Sequence, residues 1–376
     1  MRRGASSHDS VLSVMRASYI SWTVVAPVLA VVVMAMASGR DLPAAMVGLI
    51  IALLAGAVFA SVHHAEVVAH RLGEPYGSLV LAIAVTIIEV ALIVTLMVSG
   101  GGAAETLARD TVFAAVMLTC NGIVGLAIVV GTHGGPVVAF SAEGARAELA
   151  TVATLATLCM VVPTFTTTTP GPEFSPPQLG FAAVTALVLY GLFLALQTGR
   201  HRDYFLPVMA DGGVADTEQH AAPPSTRAAV TSLLLLLVAL VAVVGNAKLV
   251  SPTIERAVSA AGLPLSVVGV IVALLILLPE TLAAVRAAQQ GRMQISLNLA
   301  FGSAMASIGL TIPTIAVASI WLPGPLHLGL NGTDIVLLAL TCVVAVLTVI
   351  PGRATLLQAG VHLALLAAYF LLVVSP

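Results

Sequence analysis

Stretches of about twenty apolar residues, separated by short polar breaks, follow one another along the whole chain. A helix rises ~1.5 Å per residue, so each stretch is long enough to cross a hydrocarbon layer about 30 Å thick. Eleven such spans are predicted, near residues 19–38, 42–62, 77–99, 111–131, 148–168, 178–197, 228–247, 263–287, 294–320, 333–350 and 356–375. Just after the second, SVHHAEVVAHRLGEPYG reads as a separate interfacial helix carrying His63, Glu66 and His70 on one face. One polar segment breaks the rhythm. Residues 199–227, GRHRDYFLPVMADGGVADTEQHAAPPSTR, are rich in Gly, Pro, Asp and Glu and read as an exposed linker. The chain then divides into a tail with the first span (1–41), five spans (42–198), a cytoplasmic linker (199–227) and five more spans (228–376). Five is odd, so the two sets enter the bilayer from opposite sides, which is the geometry of inverted-topology repeats. The expected fold is an all-α integral membrane protein of about eleven transmembrane helices.

Composition makes the membrane reading firm. Of 376 residues, 59% are hydrophobic and only 9% charged, against about 25% charged in a soluble domain; mean hydropathy is +1.08. A formal net charge of −2 offers no basic face for a nucleic acid. The three cysteines, Cys120, Cys159 and Cys342, fall inside apolar runs and read as small packing residues. No small-residue cleavage site follows MRRGASSHDSVLSVMR, so the tail and first span are expected to be retained. With the N-terminus inside, cytoplasmic segments hold 11 of the 15 basic residues, and Arg40, Arg109, Lys248 and Arg256 lie outside. That bias places the N-terminus in the cytoplasm and, after eleven spans, the C-terminus outside.

The chemistry lies in two carboxylates. Glu89, in VTIIEVALIV, and Glu280, in LLPETLAAV, stand well inside the third and eighth spans, while the other acidic residues are expected in tails, loops or span ends. A carboxylate at the bilayer centre costs about 3 kcal/mol on insertion scales. No basic residue inside any span is available to pair with either one. A carboxyl out of water without a cation holds its proton, and an arriving metal ion releases it. Proton and cation then compete for the same oxygens, the minimal chemistry of an antiporter. A hard cation also requires neutral oxygens. Thr86, one turn before Glu89, with Thr119 and Asn121 in the fourth span, are the candidates in the first half; Asn298, Ser303 and Ser307 in the ninth span are those of the second. Aligning 109–126 with 292–310 sets Arg109 against Arg292 and Thr119-Cys120 against Gly302-Ser303. Pro279 and the glycines at 122, 125, 302 and 309 are read as permitting broken helices near the ion; the plainer reading of GSAMASIG is close helix packing. His362 reads as a satisfied buried histidine. Nothing matches GxxxxGK[ST], which leaves ATP-driven pumping without support.

With these residues in place, the sequence resembles the cation/proton exchangers of the calcium/cation antiporter superfamily, most closely their bacterial ChaA-type branch. The segments carrying the resemblance are GEPYGSLVLAIAVTIIEVALI (73–93) and PETLAAVRAAQQGRMQISLNLAFGSAMASIGLTIP (279–313), which look like its two α-repeats. The resemblance implies a sodium/calcium-exchanger-like fold and assigns Glu89 and Glu280 as shared carriers of cation and proton. Many such exchangers read GN-x-x-E; here Thr86 and Leu277 stand three residues before the carboxylates, with no amide. Fewer neutral oxygens favour Na+ or K+ beside Ca2+. The reading is a secondary active antiporter of the bacterial inner membrane that expels Ca2+ and/or Na+/K+ in exchange for H+ and needs no cofactor. Its partners are the lipid bilayer and small inorganic cations, with a homo-oligomer left open. A passive cation channel using the same carboxylates as a selectivity ring is the alternative; an intramembrane enzyme would need a nucleophile or metal triad, and no HExxH or Ser–His arrangement is present.

Overall fold

The structure is a computed structural model that describes residues 7–40, 42–73, 76–98, 105–199, 202–206, 224–321 and 324–376. Most of the 199–227 linker, and the question of what it does, lies outside these residues. Eleven helices follow in order: α1 (Ser7–Ala37), α2 (Ala44–Leu72), α3 (Tyr76–Val98), α4 (Leu107–Gly134), α5 (Ala142–Phe165), α6 (Pro176–Thr198), α7 (Thr226–Ala260), α8 (Ser266–Gln289), α9 (Met293–Ala318), α10 (Gly332–Val349) and α11 (Leu356–Val374). Among the described residues nine of them are long and apolar enough to span a membrane, and the well-described parts of α1 and α3 add two shorter apolar helices.

Several ends differ from the sequence reading. No separate interfacial helix follows the second span: α2 runs unbroken through His70. The segment SVHHAEVVAHRL contains no breaker before Gly73, whose φ of +68° ends the helix while its N–H bonds Ala69 O. Likewise α7 continues well past residue 247, through Pro252, to Ala260, where the chain turns at Gly262 (φ +69°) and Leu263 N–H closes back on Val258 O. Helix α5 starts at Ala142, where Ser141 caps it by accepting from Gly144 N–H.

The chain forms two compact units, Met1–Ala84 with Pro223–Ser251 and Val85–Ala222 with Pro252–Pro376. In the first, α1 packs on α2. Buried His64 places Nε2 3.1 Å from Thr23 O and Nδ1 3.3 Å from Ser232 Oγ, and Asn246 donates to Ala30 O at 3.1 Å. In the second, α8 packs on α4 and α9, α9 on α5, and α11 along the end of α4. A two-stranded antiparallel ribbon, β1 (Val138–Ala139) against β2 (Arg353–Ala354), joins the loops that leave α4 and α10.

Helices at matching places in the two expected repeats share local chemistry. Corresponding helices α5 and α10 open on Ser141 and Asn331, each accepting from a backbone N–H three residues on. Helices α6 and α11 open on Ser175 and Thr355, and each donates its backbone N–H to the glutamine three residues later, Gln178 or Gln358. Helices α4 and α9 each contain a wide π-type turn, Leu118–Ile123 and Ser307–Thr311. The chain stays helical through Gly122, Gly125, Gly302 and Gly309, but Gly122 and Gly309 lie inside these π-type turns, and two of the four also allow close approach. A Cβ on Gly125 would come 2.9 Å from Leu363 of α11, and one on Gly309 would come 2.7 Å from Tyr190 of α6. They are close-packing glycines at equivalent contacts. Pro279 is also absorbed without a break in α8.

Candidate functional site

Four helices of the second unit converge on a cavity of about 20 Å³, enough for one water molecule or one dehydrated ion. Its polar lining is Thr86 and Glu89 from α3 and Ser303 and Ser307 from α9. The rest is apolar: Val85, Ala115, Ala273, Ile276, Leu277 and Ala306. Glu89 is 5% exposed, and Ser307 donates a hydrogen bond to its Oε1. Ser307 opens the π-type turn of α9. Such turns insert one extra residue per turn and recur at functional sites because they reset which side chains face inward. Thr311, at the end of that turn, is fully buried as well.

Of the eight residues singled out from sequence, four therefore meet at the cavity: Thr86, Glu89, Ser303 and Ser307. Glu280 does not line it, although Ile276 and Leu277, one turn earlier on the same helix, do. Its side chain is half-buried. Thr119 is buried against its own helix, Oγ1 bonding Ala115 O at 2.8 Å. Asn121 faces elsewhere. It donates to Thr341 Oγ1 at 3.0 Å and its Oδ1 lies 3.2 Å from His362 Nδ1, whose Nε2 meets Thr348 Oγ1 at 3.1 Å. An amide oxygen only accepts, so the Nδ1–H tautomer satisfies this chain. His362 is the satisfied buried histidine expected. Asn298 accepts from Gln294 Nε2 and donates to Phe205 O, both at 2.7 Å, and so belongs to the N-terminal end of α9. His63, Glu66 and His70 are exposed along α2, and no group of three metal-ligating side chains occurs among the described residues.

One buried carboxylate was missed. Glu148, expected at the edge of the fifth span, sits in the second turn of α5 and is fully buried. The signal was present in the spacing: Gly144, Ala145, Glu148, Leu149 and Val152 form one helical stripe.

Comparison with known proteins now gives this geometry a class. The sodium/calcium exchanger protein family matches residues 42–199 and 231–375, and the chain belongs to that family. A putative ionic transporter, y4hA, of Sinorhizobium fredii is 44% identical over 374 residues, covering 98% of this chain and 100% of the relative. The sodium-potassium/proton antiporter ChaA of Escherichia coli is 34% identical over 348 residues, 92% of this chain and 94% of ChaA. The fold is that of the H+/Ca2+ exchanger CAX (TM-score 0.71, 15% identity, 95% of this chain and 88% of CAX) and of YfkE (0.70, 15%, 93% and 97%). The chain is thus a multi-pass membrane protein of the calcium/cation antiporter superfamily with ChaA-type relatives, an ion transporter and not an enzyme.

Proposed function

We propose that this protein is a secondary active cation/proton antiporter in which Glu89 binds proton and cation alternately in the cavity between α3, α4, α8 and α9. The observation that carries this reading is one buried carboxylate with three hydroxyl-bearing residues around a space for one ion. Without a basic partner, the carboxylate is compensated either by a proton or by a metal ion. One negative charge balances one monovalent cation, so exchange of Na+ or K+ for H+ is the favoured form. The sodium-potassium/proton antiport in the name of the 34% identical relative agrees with it. Glu280, at the equivalent place on α8, is the second carrier, recruited when a divalent ion such as Ca2+ requires another charge. Thr86, Ser303 and Ser307 supply neutral oxygens; Thr119, Asn121 and Asn298 hold the surrounding helices. The protein resides in the bacterial inner membrane with its N-terminus cytoplasmic and its C-terminus outside. The 42–198 and 228–376 repeats alternate access to the fixed site.

The test uses purified protein in liposomes with a trapped pH dye, challenged in turn with Na+, K+ and Ca2+. Inward cation should drive protons out against an imposed gradient, and Glu89→Gln should abolish the signal for every ion. A protein that only collapses the gradient is a channel, and a Glu89→Gln variant that still couples overturns the assignment.

A further inference from the structure

Glu148 has no role in the cavity just described. It is 0% exposed, neither carboxylate oxygen has a hydrogen-bond partner among the described residues, and none of the ion pairs there includes it. Its place can be read from Gly144, one turn earlier on the same face of α5. A Cβ at Gly144 would fall 2.3 Å from Tyr204 O and 3.2 Å from Gln294 Nε2. The short 3-10 turn Arg202–Phe205 is therefore seated directly on that face, one turn above Glu148. The turn is held by the Asn298 amide donating to Phe205 O at 2.7 Å and by the Phe205 ring edge-on to Phe193 at 5.8 Å. The Gln294 amide is engaged too, accepting from Ser141 N–H and donating to Asn298. On α9, Gln294 and Asn298 lie on the face away from Ser303 and Ser307, which separates this place from the cavity.

We propose that Glu148 is a proton-binding site apart from the central cavity, and that its ionisation loosens the Arg202–Phe205 turn from α5 and α9. A buried carboxyl without partners is tolerated as the neutral acid; an unpaired charge there must reach water or a cation. Helix α9 brings no titratable side chain to α5. Helix α6 brings Tyr190, α10 brings Asp334 at its far end and Cys342, and the turn brings Asp203 and Tyr204. On α5 itself Glu143 and Arg146 are exposed and paired with each other. The nearest route to water follows the first turns of α5, about 9 Å of helix, past Gly144 and the seated turn. On the proposed orientation that end is cytoplasmic, which makes the site a sensor of internal pH.

Hydrogen–deuterium exchange of the full chain in detergent, from pH 6 to 9 and normalised to chemical exchange, tests this. Residues 202–206 should lose protection at least about tenfold across a one-proton transition in wild type. Glu148→Gln, which cannot ionise, should stay protected at pH 9. A flat wild-type profile, or a glutamine variant that follows the wild-type curve, overturns the proposal. Asn298→Leu removes the tether and should show at pH 6 the exchange that wild type reaches only at pH 9; protection unchanged in that variant also counts against it. No cation gradient is involved, so the result stands apart from the antiport reading.

Discussion

Glu89 and Glu280 occupy the same position in two related helices, yet only Glu89 reaches the cavity, and the difference makes a prediction about ion valence. With one carboxylate present, a monovalent ion is balanced and a divalent one is not. Glu280→Gln should therefore keep Na+/H+ exchange near the wild-type rate and lose Ca2+/H+ exchange, read with the same pH-dye liposomes. Equal loss for all ions would make Glu280 an obligatory carrier. The two glutamates could be found from sequence because a charge inside an apolar run announces itself by cost alone. Of the neutral candidates, Thr86, Ser303 and Ser307 reach the cavity as well, whereas Thr119, Asn121 and Asn298 do not. Position along the chain points to Asn121 and Asn298, whereas helix face decides what they touch. The partners of Asn121, Thr341 and His362, lie 220 and 241 residues away. Glu148 escaped for a related reason: hydropathy located the span two turns too late, leaving a core residue at an apparent edge.

At the scale of elements, the eleven helices were legible because apolar length is a property of composition. Their ends were not. Hydropathy windows stop where polar residues begin, while backbone hydrogen bonding continues to a breaker such as Gly73 or Gly262. The π-type turns in α4 and α9 also left no trace in the pattern, since one extra residue per turn changes facing and not polarity. The glycines in and beside them have a checkable job. Gly309→Val places a branched side chain where Tyr190 Cβ would lie 2.7 Å from the first added carbon. Overpacking of this kind costs about 1–3 kcal/mol, and the variant should melt at a lower temperature in detergent; an unchanged melting temperature would show that α6 and α9 do not pack as tightly as described.

For the molecule as a whole, inverted repeats are expected from five spans, an odd number, on each side of the linker, and the paired caps on α5 with α10 and α6 with α11 agree with that expectation. The compact units did not follow, because they are defined by tertiary contacts that join α1 and α2 to the first part of α7. Orientation remains a prediction from charge. Cysteine at Asp203 should react with an impermeant maleimide only in inverted vesicles, and cysteine at Ser375 only in right-side-out ones. The native cysteines, two buried and one half-buried, give a low background. The opposite pattern would reverse the assigned sidedness.

The size of the cavity has a final consequence for energy coupling. About 20 Å³ beside a single carboxylate admits one passenger at a time. On the proposed cycle a proton travels one way and a monovalent ion the other, each neutralising the same charge. No net charge then crosses per turnover, so the membrane voltage, worth about 2.3 kcal/mol per charge per 100 mV, performs no work on the exchange. The chemical gradients of the two ions alone would set its direction and its limit.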